Sequence, residues 1–424
     1  MRRFRAITFA IMTLPADGES PSRLALHYRG FRFFAAATLA TTFGVQIISV
    51  SVGWQIWEET GNALFLGLVG LAQYLPALSM VLLTGLVADR FSRRRVMAIC
   101  LFIEAICALG LLFIAINEGI GVLPIFGALV VLGLARAFMG PASDSLAPNL
   151  VPPEALANAI SINASAWQLA AIAGPMTGGL LYGLGGPVAY GTAAILICVS
   201  LTCVLFIPRP PQPRDTQATS LTTMLAGFRY IRDNRIVFGA ISLDLFAVLL
   251  GGATALMPIY ASDILEAGPL GLGLLRAAPG IGAIGMALWL AKFPIRTGAG
   301  HKLFFFVALF GLATIIFGFS WSVWMAVPAL VVMGAADMVS VAIRETIMQL
   351  WTPDEVRGRV SAVNRVFIGA SNELGEFRAG VMAFWLGAIA AVTIGGAGTM
   401  GVAALWAKMF PELRRIQNLD RKMV

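Results

Sequence analysis

Runs of about twenty apolar residues, the length a helix needs to cross a hydrocarbon core roughly 30 Å thick, follow one another along almost the whole chain. They are predicted near 33–56, 64–87, 96–116, 122–144, 157–182, 188–207, 236–261, 270–292, 302–319, 323–346, 359–384 and 388–408, twelve in all. Composition points the same way. Of 424 residues, 58% are hydrophobic and only 12% charged, against roughly 25% charged in a soluble domain. The mean hydropathy is +0.83. Lipid is therefore the main solvent, and the 45 glycines suit helices whose backbones approach closely.

The charge map fixes an orientation. Lys and Arg stay on the cytoplasmic side of a membrane protein. Here they gather in the N-terminal tail, in the loop at 88–95, in the central loop (Arg209 to Arg235), at 292–302, at Arg357 and Arg359, and in the C-tail. The alternate loops carry no Lys or Arg but do carry Glu58, Glu59, Glu118, Asp263 and Glu266. Both termini are thus expected in the cytoplasm of a bacterial inner membrane. The net charge of +8 belongs to these loops rather than to nucleic-acid binding. The apolar start, residues 1–18, reads as a cytoplasmic tail and not a cleaved signal, with Met12 as an alternative start.

Other chemistries find no support. Cys100, Cys107, Cys198 and Cys203 have no CxxC spacing. The two histidines, His27 and His301, form no HExxH, and no Gly-Lys dipeptide exists to build a Walker A loop. No enzyme, metal or cofactor is expected.

The halves echo each other. VPPEALANAIS (151–161) matches WTPDEVRGRVS (351–361), and at an offset of 201 Gly133 pairs with Gly334, Asp144 with Glu345, Asn163 with Asn364, Gly174 with Gly375 and Gly179 with Gly380. The predicted organisation is a tail (1–30), a six-helix bundle (31–207), a central loop (208–235), a second six-helix bundle (236–409) and a C-tail (410–424). The central loop opens with the stiff PRPPQPRD. It continues as an amphipathic helix, with Leu221, Met224, Leu225, Phe228 and Ile231 on one face, expected to lie on the membrane surface.

Two motifs carry a resemblance. GLVADRFSRRR, with Gly85, Asp89, Arg90, Arg93 and Arg94, resembles the loop signature between spans two and three of the major facilitator superfamily. AAIAGPMTGG, with Gly174, Pro175, Gly178 and Gly179, resembles its fifth-span antiporter signature, although Ala170 replaces the upstream glycine. Over roughly 25–415 the chain is similar to the enterobactin-exporter-like and macrolide-efflux branch of that superfamily. The resemblance implies an all-α membrane fold of twelve transmembrane helices in two pseudo-symmetric six-helix bundles. It also implies proton-driven export of a small amphiphilic molecule such as a siderophore or antibiotic, with no cofactor, by a monomer. A uniporter or lysolipid flippase of the same fold, and a non-transporting receptor or scaffold, are the alternatives.

Ionisable groups inside the spans are costly, about 2.5–3.5 kcal/mol or more at the bilayer centre, and so need a partner or a task. The candidates are Glu104, Arg136, Asp244, Arg276, Asp337, Glu373, Glu376 and Arg378. Arg136 and Asp337 stand 201 apart at equivalent mid-helix positions. If the implied fold holds, both face the central cavity, Arg136 for an anionic or carbonyl group and Asp337 for a proton. Glu373 and Glu376 share a helix face and suit either a proton site or a pairing with Arg276 or Arg378. Asp144 is expected as an inner-gate partner of Arg93 and Arg94. Gln46, Trp54, Gln55, Tyr74 and Gln168 are possible cavity groups. The eleventh span, the most polar, must turn its polar face to protein or water.

Overall fold

The computed structural model describes residues 24–80, 83–84, 87, 90–117, 119–208 and 221–418. The expectations for the first residues, for the linker at 209–220, for Gly85 and Asp89 and for the chain end at 419–424 lie outside the described residues. The first six long helices are α1 (Arg29–Thr60), α2 (Ala63–Ser79), α3 (Arg93–Ile116), α4 (Leu123–Leu146), α5 (Leu156–Gly183) and α6 (Gly186–Phe206). A shorter helix, α7 (Leu221–Asp233), leads into α8 (Arg235–Gly251), α9 (Gly268–Lys292), α10 (Ala299–Gly318), α11 (Val323–Trp351), α12 (Asp354–Leu386) and α13 (Ala388–Met409).

Helix ends follow local chemistry. Asn62, Asn234 and Ser322 cap α2, α8 and α11 by accepting backbone N–H bonds at the first turn. Gly61, in the left-handed region at φ 56°, lets the chain reverse after α1. The seventh span is less regular than its predicted range of 236–261. The helix stops at the Gly251–Gly252 pair and resumes through short 3₁₀, α and π turns from Thr254 to Ile264. Two successive glycines and Pro258 weaken the hydrogen-bonded ladder at that point.

The packing repeats in the two halves. Helix α1 lies against α5 and α6, α3 against α4 and α6, and α2 against α4. In the same order α8 lies against α12 and α13, α10 against α11 and α13, and α9 against α11. Glycines paired in the sequence make matching contacts. A side chain at Gly133 would meet the backbone of Gln73 on α2, and one at Gly334 the backbone of Pro279 on α9. Gly174 sits against Gln46 of α1, and Gly375 against Val248 and Leu249 of α8.

Among the described residues, nine helical stretches are long and apolar enough to cross a membrane: α1, α3, α4, α6, α8 with its continuation, α9, α10, α11 and α13. Helices α5 and α12 fall short in hydropathy, and α2 is described as a continuous helix only over Ala63–Ser79. These three are also the helices that bind the halves together, α2 against α12 and α5 against α9. The polar faces of α5 and α12 are accommodated where these helices pack on other helices.

The amphipathic helix forms but is not simply spread on lipid. Ile231 of α7 is 2% exposed beside Val360 and Val363, Phe228 packs on Phe367, and the Tyr230 hydroxyl donates to the Trp351 carbonyl at 2.6 Å. Gly227 admits the backbone of Arg359. The described apolar residues of α7 therefore seat on α12, so the helix is fixed to the second half.

Candidate functional site

The two halves meet tightly near one end of the helices. At the α2–α12 seam a Cβ on Gly380 would lie 2.7 Å from the Gly67 Cα. At the α5–α9 seam one on Gly179 would lie 3.1 Å from the Gly273 Cα. Gly67 and Gly273 fall in the first two turns of α2 and α9, and Gly179 and Gly380 in the last two turns of α5 and α12. All four ends border the loops free of Lys and Arg. Among the described residues three hydrogen bonds cross between the halves: Trp57 Nε1 to Asp263 Oδ1 at 3.0 Å, Arg276 Nη1 to Ser49 Oγ at 2.7 Å, and the Tyr74 hydroxyl to the Val366 carbonyl at 2.9 Å. The molecule is closed at the acidic-loop face.

Toward the basic-loop face each half holds a cavity. The first, about 680 Å³, is walled by α1, α3, α4 and α5, with Thr38, Thr41, Arg136, Asn163 and Trp167 among its lining. Arg136 donates from Nη1 to Gln73 Oε1 at 3.0 Å, while its Nε and Asn163 Oδ1 are buried with no protein partner. Glu104, 1% exposed on α3, interacts electrostatically with Arg136 and accepts from the Thr41 hydroxyl at 3.5 Å. The guanidinium charge is thus balanced from behind, with hydrogen-bonding capacity left unused at the cavity wall.

The second cavity, about 130 Å³, lies among α8, α11 and α12. Asp244 and Arg344 form an ion pair in its wall, both under a tenth exposed. Asp337 also lines it, without a hydrogen bond or ion pair to any described residue, beside Asn364 and Asn372. The repeat is visible here. Arg136, Asp144 and Asn163 line the first cavity, and their partners at an offset of 201, Asp337, Glu345 and Asn364, line the second. The positions correspond, yet Arg136 stands in one half where Asp337 stands in the other. The structure gives Arg136 and Asp337 separate cavities and no ion pair with each other.

Other predicted residues go elsewhere. Gln46 donates from Nε2 to the Ala171 carbonyl at 3.2 Å, tying α1 to α5. Gly174 and Gly178 bring α5 onto Gln46 and Ile47 of α1, while Gly179 works at the seam between halves. Glu373 and Glu376 lie on α12 over Gly70 of α2, where any side chain would meet both carboxylates. Glu376 also interacts with Arg276. The polar face of α12 is accordingly turned toward protein and cavity.

The loop arginines differ from expectation. Arg93 donates to the Ser145 carbonyl at 2.8 Å, and Arg94 to the carbonyls of Val204 at 3.1 Å and of Leu205. They cap the last turns of α4 and α6, where helix carbonyls lack partners and the dipole favours a cation. Arg90 is exposed. Asp144 instead faces Arg365 of α12 at 3.6 Å, across the halves. Reading along the sequence missed Arg365, Ser49, Thr38, Thr41 and Trp167. Asn163 was detectable through its repeat partner Asn364.

Comparison with known proteins follows this geometry. A family model described as transmembrane secretion effector matches residues 22–423. The enterobactin exporter EntS of Escherichia coli (strain SMS-3-5 / SECEC) is 26% identical over 393 residues, covering 91% of this chain and 90% of that protein. In a second Escherichia coli strain the identity is 27% over 396 residues, with 90% and 89% covered. Among solved structures, a bacterial homolog of the human lysosomal transporter Spinster, inward-facing and unoccupied, superimposes with a TM-score of 0.71 at 17% identity, covering 92% of this chain and 99% of that one. A D-xylose-proton symporter gives 0.70 at 14% identity, covering 91% and 99%.

Proposed function

This chain belongs to the transmembrane secretion effector family of the major facilitator transporters, and on that premise we propose that it exports a small amphiphilic molecule in exchange for protons. The observation that carries the reading is the pair of cavities at equivalent positions in which Arg136 of one stands where Asp337 of the other does, Asp337 having no hydrogen bond or ion pair among the described residues. The basic-loop face is the cytoplasmic one by the charge rule. Both cavities then load from the cytoplasm of a bacterial inner membrane, with the tails on the same side.

In this account the substrate enters the larger cavity, whose volume of about 680 Å³ suits a small ligand (roughly 300–1,000 Å³). Arg136 takes its anionic or carbonyl group, with Glu104 holding the guanidinium in place. Asp337 exchanges the proton. Protonation removes its charge from the cavity, and Asp244, already paired with Arg344, does not compete for that role. The bundles 31–207 and 236–409 rock against each other about the glycine seams, and Gly179 of the antiporter motif is part of one seam. Substrate and proton drive the motion only insofar as they favour one state over the other. The exporters similar to this chain support a siderophore-like cargo.

Purified protein in proteoliposomes, with a panel of siderophores and hydrophobic antibiotics, tests the roles. Asp337→Asn is expected to keep substrate exchange but lose gradient-driven accumulation. Arg136→Ala is expected to lose both. Proton-driven export left intact by each change would remove this assignment.

A further inference from the structure

We infer that Trp167 sets the selectivity of the larger cavity, acting as a plate on which a flat aromatic ring of the ligand stacks while Arg136 and Asn163 engage oxygens at the ring's edge. The inference rests on reading that cavity as the substrate site.

Trp167 shares the cavity-facing side of α5 with Ile160, Asn163 and Ala164, which lie seven, four and three residues before it and so on one helical face. It is 54% exposed and stands eleven residues beyond Leu156, the first residue of α5. At 1.5 Å per residue that is about 16 Å along the helix from its start. Tryptophans that anchor a protein at the membrane surface sit at helix ends. In this chain Trp321, Trp324 and Trp385 occupy such ends and are 76%, 89% and 76% exposed. Trp167 does not fit that use, because it stands about three turns inside α5 and lines the cavity.

Ala37, Thr38, Thr41, Thr42 and Gly140 line the cavity beside the larger Met97, Leu101 and Met139, and Trp167 is the only aromatic side chain lining it among the described residues. Its indole N–H has no hydrogen-bond partner among them. The buried Arg136 Nε and Asn163 Oδ1 are likewise unpartnered. An aromatic face, a cationic side chain and an amide that can donate or accept thus line one cavity. The ligand that satisfies all three is a planar ring bearing an anionic or carbonyl oxygen, with a hydroxyl or amide next to it. An aliphatic acid would use Arg136 alone.

Equilibrium binding to the detergent-purified protein tests this without knowledge of the natural cargo. The probes are 2-naphthoate, 4-cyclohexylbutyrate and naphthylmethylammonium. Wild type is expected to bind 2-naphthoate about ten-fold more tightly than the ring-saturated acid, the scale of one good aromatic contact, and to bind the ammonium weakest. Trp167→Leu should abolish the preference between the acids, whereas Trp167→Phe should retain most of it and show that the site is intact. Arg136→Gln should weaken both acids together. If Arg136→Gln weakens both acids while Trp167→Leu leaves the preference unchanged, the stacking role is wrong and the cavity assignment stands. If neither acid responds to Arg136→Gln, the cavity assignment fails, and this inference with it.

Discussion

Arg276 of the second half donates to the Ser49 hydroxyl of the first at 2.7 Å, so a charged side chain near mid-membrane ties together two bundles joined by one central connection. Gly53, one turn further along α1, leaves the space that Arg276 occupies, since a Cβ there would come within 3.2 Å of Nη2. Glu376 offsets the charge from α12. A hydrogen bond from a charged donor contributes about 1.5–3 kcal/mol. Removing it with Arg276→Ala should raise the population open at the acidic-loop face by an order of magnitude or more. Spin labels at Ile120 and Trp321, in a cysteine-free background, report it. A longer, broader distance distribution is expected, with Arg276→Lys intermediate. An unchanged distribution would mean that the contact does not hold the closure.

The glycine seams make a second prediction. Gly380→Ala puts a methyl group 2.7 Å from the Gly67 Cα, closer than carbon atoms tolerate. Overpacking of this kind costs about 1–3 kcal/mol, and the cost falls on the closed arrangement only. The same spin-label pair should move apart in Gly380→Ala. In Gly401→Ala, where a Cβ meets open space, it should not.

Asp244 and Arg344 are a buried pair, and breaking one side strands the other charge. Asp244→Asn or Arg344→Met should each lower thermal stability in detergent by about 3–5 kcal/mol equivalent. The double variant should lose clearly less than the sum. Strict additivity in this cycle would show that the pair is not coupled.

Asp144 and Arg365 present the opposite case. Their side chains are 74% and 76% exposed and 3.6 Å apart, and solvent screens such a pair to about 0–1 kcal/mol. Asp144→Asn and Arg365→Gln should leave the melting temperature within a degree or two. A larger drop would assign this cross-half contact a structural weight that its exposure argues against.

Much of the architecture is legible in the sequence because hydrophobic length and loop charge act locally. The paired glycines at an offset of 201 carry still more, since Gly133 and Gly334, or Gly174 and Gly375, make matching helix contacts. Hydropathy alone misreads α5 and α12. Their polarity is compatible with lipid only because other helices cover it, and that is a tertiary fact. The break at Gly252 likewise depends on where α12 packs.

The candidate site is only partly legible. Charge inside an apolar run singles out Arg136, Asp337 and Asp244, because the bilayer makes such residues expensive wherever they point. It does not say which pair with each other. Nothing along the chain marks Arg344 as the partner of Asp244. Asp144 was matched to the nearest basic loop, while Arg93 and Arg94 go to helix-end carbonyls that no sequence pattern advertises. Trp167 is an ordinary helix residue until α1, α4 and α5 are assembled around a cavity.

The most direct measurement of the central claim is transport in everted membrane vesicles carrying this protein, whose cytoplasmic face is outward, with an amphiphile panel and an imposed pH gradient. The account predicts that at least one compound accumulates inside, that accumulation collapses when nigericin dissipates the gradient, and that Asp337→Asn abolishes it. Accumulation indifferent to the gradient, or none for any compound with folded protein present, would contradict proton-driven export.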